Sequence, residues 1–208
     1  MPLTSLRRAL VTAVAAGAAL TPVAAQAHQA DQLVYTDPSH DVQTLTIDQN
    51  TSPDPQTDPG FTVDPAMTNG DIKRVFVHFR KEHLVIRTTF VDLRRQGFGI
   101  SYDGLLRTNT GVRRVFDVTA TRKHREGHDM LIAPRHKVSC EIGHWLGYTD
   151  NFARVSIPLS CLGNPRWIQL KIAASTFRLT KTSGKISADV AGTDSIDKMP
   201  WTRRVHVG

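Results

Sequence analysis

The chain reads as an all-β protein, an antiparallel β-sandwich of jelly-roll-like layout in a single domain. Three observations predict it. Apolar and polar residues alternate with period 2 in successive short runs, Gly and Asn turns separate those runs about every ten residues, and no stretch after the first 27 residues carries the 3.6-residue periodicity of a helix. Parallel α/β folds need helical crossovers between their strands, so their absence favours antiparallel sheets.

The first 27 residues have the layout of a cleavable signal peptide. Arg7 and Arg8 supply the positive end, a short apolar stretch follows, and Ala25-Gln26-Ala27 gives the small residues that signal peptidase reads. An apolar stretch of about a dozen residues is too short to span a bilayer, which takes roughly 20. The expectation is therefore a secreted, extracellular protein that begins at His28 and has no membrane association after cleavage.

Residues 28–68 form an Asp- and Pro-rich segment with one short apolar alternation at 42–47. Pro53, Pro55 and Pro59 exclude a helix from the stretch that follows it, which is expected to be a loop. The sandwich core is expected over 69–208. IKRVFVHFR and HLVIRTTFVDL, joined by Lys81-Glu82, have the form of a hairpin. Further runs are expected at 98–102, 112–121, 129–132, 138–142, 153–159 and 167–177, with Pro158 confining its strand end to a sheet edge or exit.

In order along the chain, DPSHDV, GDIKRVFVHFR, Phe90-Val91-Asp92-Leu93, VSIPLSCLGNPRW and ADVAGTDSIDKM resemble a group of secreted actinobacterial proteins of unknown function. The stretch 157–167 is the most specific part, followed by Asp71-Ile72. More distantly the layout is similar to sandwich modules of the family-9 carbohydrate-binding and DOMON type. The resemblance implies a sandwich and brings no catalytic residue, haem ligand or sugar ligand with it.

The net charge of +7 includes the two leader arginines, and Arg and Lys occur in scattered pairs such as Arg94-Arg95, Arg113-Arg114 and Arg203-Arg204. A solvated surface is the simpler reading, so no nucleic-acid partner is expected. Cys140 and Cys161 are the two cysteines, and in an exported chain they are expected to form one disulfide.

Calcium is the cofactor to which the sequence points. Asp37, Asp41 and Asp71 flank strand starts and are the oxygens expected to hold it, with Asp189, Asp194 and Asp197 in a late loop. The alternative is that each aspartate caps a turn, since no EF-hand spacing occurs. His124 and His128 are four apart, but the residues between them favour a turn over a helix face. No G-x-S-x-G elbow and no recognisable carboxylate pair points to hydrolysis. Trp145 and Tyr148, in a Gly-rich segment expected to be a loop, form the candidate ligand platform, whereas Trp167 is expected in the core. The resulting expectation is a secreted, non-catalytic module that binds a carbohydrate or other cell-envelope component, or another exported protein. The alternative is a secreted hydrolase on the same sandwich.

Overall fold

A computed structural model describes residues 32–48, 60–95, 97, 99–134, 136–180 and 183–207. The expected signal peptide and most of the Pro-rich loop lie outside them. The described chain is two antiparallel sheets packed face to face, with no α-helix. The all-β sandwich is therefore what the chain forms.

The smaller sheet contains β1 (Gln32–Thr36), β4 (Ile72–Arg80), β5 (His83–Phe90), β11 (Phe152–Pro158) and β10 (Gly143–Gly147), paired in that order. The larger runs β3 (Thr62–Val63), β2 (Gln43–Asp48), β13 (Ser183–Val190), β12 (Trp167–Leu179), β6 (Gly99–Thr108), β7 (Arg113–Thr121), β8 (His128–Ala133) and β9 (His136–Lys137), with β14 (Val205–His206) also on β12. The period-2 alternation turns one set of side chains inward from each sheet. Val75, Val77, Leu84, Ile86, Val155 and Ile157 of the small sheet meet Tyr102, Leu106, Phe116, Val118, Leu170 and Ile172 of the large one. At the centre the fully buried Tyr102 hydroxyl and the Thr88 hydroxyl share a 2.6 Å hydrogen bond, so these two hydroxyls satisfy each other.

The Lys81-Glu82 turn joins β4 to β5 as the hairpin pattern predicts. Several expectations differ. The described part of 28–68 holds three strands where one is legible, and β1 and β2 join opposite sheets, so these strands are part of the sandwich. Residues 138–142 are not a strand, whereas 143–147 are. β13 was not expected, because its Ser, Gly and Lys residues have weak strand propensity and its partners on both sides hold it instead.

Gly104 shows how tight the interior is. A Cβ there would run into the Phe116 ring and touch Ile172, both fully buried. Gly104→Ala should therefore cost about 1–3 kcal/mol through overpacking. Urea unfolding that leaves the midpoint unchanged would contradict that packing.

Candidate metal centre

The chain changes sheets between β1 and β2, and the connection 37–42 crosses one end of the sandwich. Asp37 and Asp41 lie on this connection. Asp71 immediately precedes β4, and Asp189 reaches inward from β13, where its Oδ2 accepts a 2.6 Å hydrogen bond from Ile72 N across the gap between the sheets. One carboxylate oxygen each from Asp37, Asp41 and Asp189 lies within 4.8 Å of the others. Asp71 belongs to the same electrostatic group, since its charge raises the carboxyls of Asp37, Asp41 and Asp189.

Backbone donors satisfy only part of this group. His40 N donates to Asp71 Oδ2 at 2.9 Å, Val190 N to Asp189 Oδ1 at 2.8 Å, and Gly192 N to Asp37 Oδ1. Asp37 Oδ2, Asp71 Oδ1 and both oxygens of Asp41 are buried with no hydrogen-bond partner. Asp71 is wholly buried and Asp189 nearly so. Desolvation, followed by charge from the other carboxylates, pushes Asp37 up to about 8 against its Gly192 hydrogen bond, and burial pushes Asp189 up to about 7. Burial likewise raises Asp41 and Asp71. Buried carboxylate oxygens without donors are costly unless a proton or a cation joins them.

Of the aspartates expected to hold calcium, Asp37 and Asp41 come together, Asp71 stands beside them, and Asp189 completes the trio from a strand instead of the late loop. Asp197 sits in a short 3₁₀ turn, and Asp194 adds only its charge near Asp41.

The other expected site residues are divided. The disulfide joins Cys140 and Cys161, with Cα atoms 6.1 Å apart. Neither cysteine lies in a strand: Cys140 precedes β10 and Cys161 is in the 3₁₀ turn Leu159–Leu162. Trp145 is on edge strand β10, 63% exposed on the outer face of the small sheet. Tyr148 does not share that face. It packs against the core margin, its hydroxyl donating to Arg125 O at 2.9 Å and its ring beneath the Arg95 guanidinium, so the two aromatics form no joint platform. Trp167 is half-buried under Arg204 and is not a core residue. His124 and His128 do approach, with ring centroids 4.6 Å apart, but Arg122, Lys123 and Arg125 line the same hollow and disfavour a cation.

One carboxyl pair escaped the sequence reading. Asp103 and Asp117 face each other across β6 and β7, with the Ser101 hydroxyl donating to both and the Thr119 hydroxyl to Asp117. Burial, then the hydrogen bond and charge of Asp117, pushes Asp103 up to about 8, so the pair shares a proton at neutral pH. Direct cross-strand contact leaves no room for a sugar and a water between the two groups, as paired-carboxylate hydrolysis requires.

A carboxyl raised in the folded state binds more protons there than in the unfolded chain, so its contribution to stability declines as pH rises between about 4 and about 8. Asp103→Asn should gain on the wild type by on the order of 1 kcal/mol at pH 8 and by less at pH 5. Melts of both proteins in chelator test it, and an equal difference at the two pH values counts against the shared proton.

Among the described residues no helix is long and apolar enough to cross a membrane, which with the disulfide is compatible with an extracellular protein. Compared with protein-family models, curated proteins and solved structures, the chain finds no match.

Proposed function

We propose that this chain is a secreted, non-catalytic β-sandwich binding module for a cell-envelope glycan or exported partner, stabilised by one calcium ion held between Asp37, Asp41 and Asp189. The observation that supports the ion is the set of buried, donorless carboxylate oxygens at the sheet-switching end. Hard cations take oxygen ligands, and calcium accepts six to eight in irregular geometry. Magnesium demands an octahedron and keeps most of its water. Three carboxylates from a loop and a strand, with a fourth adding charge, suit the larger ion.

A histidine–carboxylate pair elsewhere in the fold bears on the hydrolase alternative. The one close histidine–carboxylate contact between side chains among the described residues joins His144 Nδ1 to Asp129 Oδ2, and Nε2 is engaged at 2.9 Å by Glu126 O. Neither ring nitrogen is left to activate a nucleophile, so the hydrolase alternative draws no support from it.

Titration of chelator-treated protein with calcium should give one ion per chain, with Kd about 10⁻³ M or tighter. Asp41→Asn should weaken it at least tenfold, about 1.4 kcal/mol. Absence of calorimetric or spectroscopic saturation would leave the aspartates with local hydrogen-bonding roles and no ion.

A further inference from the structure

The outer face of the small sheet carries an uninterrupted row across all five strands. The register aligns Val34 with Phe76, Phe76 with Arg87, Arg87 with Arg154, and Arg154 with Trp145. Four interstrand steps of about 4.8 Å make the row roughly 19 Å long. Arg74 and Arg80 flank it on β4.

The five strands QLVYT, IKRVFVHFR, HLVIRTTF, FARVSIP and GHWLG contain no aspartate or glutamate. Of the acids that adjoin these strands in sequence, Asp37 and Asp71 are buried in the carboxylate cluster and Glu82 is in a turn. Among the described residues, Arg74, Arg80, Arg87 and Arg154 make no ion pair. Arg87 instead lies over the Phe152 ring, 4.3 Å from its centroid. Stacking fixes the plane of the guanidinium while leaving donors at its edge.

A monomer's surface arginines are ordinarily interspersed with acids. Here they share a face with Trp145, 63% exposed, and with the neutral Thr89 and Ser156. Guanidinium groups recognise carboxylate, sulfate and phosphate oxygens through paired hydrogen bonds. An exposed indole offers an apolar face for the C–H side of a sugar ring, with its N–H free to bond at the edge. We infer that this face binds an anionic polysaccharide, laid across the strands along the row from Trp145 to Val34.

Single-stranded nucleic acid also combines stacking with negative charge. The glycan is favoured because the disulfide is compatible with an extracellular chain. The inference deepens the binding role proposed above and is independent of the calcium ion.

The test is calorimetry with dextran sulfate and, sharing its backbone, neutral dextran. Dextran sulfate should bind, more weakly as salt rises from about 0.05 M to about 0.5 M, and dextran should not. Arg87→Gln with Arg154→Gln should weaken binding about tenfold or more, and Trp145→Ala several-fold. Arg113→Gln with Lys137→Gln removes equal charge from the other sheet and should change little. Equal losses in the two double variants, or no binding by the wild type, overturn the site. Tighter binding of single-stranded DNA at matched charge overturns the glycan. Each variant is also melted with and without calcium. A calcium response that survives while dextran sulfate binding fails overturns this inference alone, and the reverse result overturns only the ion.

Discussion

Calcium added to chelator-treated protein should raise its melting temperature by about 5–10 °C at a hundredfold excess over Kd. Binding to the folded state alone stabilises by RT ln(1 + [L]/Kd), about 2.7 kcal/mol at that excess, and each kcal/mol moves the midpoint of a domain this size by about 2–4 °C. The informative variant is Asp41→Asn. No other described residue donates to the Asp41 carboxylate, and its own backbone amide can bond an Asn oxygen equally well, so the substitution keeps its local contacts and removes one charge from a group that includes Asp37, Asp71 and Asp189. Its melting temperature in chelator should equal or exceed that of the wild type, while its calcium response shrinks to less than about a third. Asp189→Asn is less clean, because Asp189 accepts from both Ile72 N and Val190 N and an amide oxygen can replace only part of that. If Asp41→Asn lowers stability in chelator and in calcium alike, the aspartate has a local structural role and holds no ion.

Why part of this site was legible in sequence and part was not follows from strand periodicity. Asp37, Asp41 and Asp71 stand beside strand ends in polar stretches, where a cluster of oxygens is a reasonable guess. Asp189 is on β13, in which Ser187 and Asp189 turn inward while Ile186 and Ala188 turn outward. That inverts the usual arrangement of apolar residues toward the core, so even a correct strand assignment would have placed Asp189 on the solvent face. The Asp103–Asp117 pair was hidden for a different reason. Fourteen positions separate the two residues, and only the β6–β7 register brings them opposite each other. The cationic row on the small sheet is similarly invisible, because its members come from five strands whose spatial order is β1-β4-β5-β11-β10. Arginines scattered over β4, β5 and β11 in the sequence become neighbours on one face once that order is known. By contrast the β4–β5 hairpin, with a two-residue polar turn between two period-2 runs, depends on neighbours alone and was legible, except that β5 stops at Phe90 and the register shifts between Ile72 and Arg74. Trp145 was expected in a loop because of the glycines around it. Gly147 is instead a strand position where a Cβ would meet the Phe152 ring, so it marks a close cross-strand contact.

Replacing both cysteines by serine should lower stability by about 2–4 kcal/mol, or about 5–15 °C in melting temperature. The bond closes a separation of 21 residues that contains the whole β10–β11 hairpin. Its two ends are held unequally. Cys161 sits in a turn between the buried Leu159 and Leu162, with Leu159 N donating to Glu82 O at 2.8 Å and Arg114 Nε to Cys161 O at 3.3 Å. That turn is anchored without the disulfide. Cys140 lies in irregular backbone tied to the sandwich by the Val138 N to Leu131 O bond, its own amide's bond to Val138 O, and the buried Ile142 side chain. Loss of the bond should therefore fall on residues 138–142 and on edge strand β10, which among the described residues pairs only with β11. Amide hydrogen exchange should speed up there first, carrying Trp145 with it, while β6 and β12, each paired on both sides, keep their protection. Since Trp145 ends the cationic row, the same variant should also bind dextran sulfate more weakly without any change in its charge. Uniform loss of protection through both sheets would show that the disulfide supports the fold as a whole and not this edge.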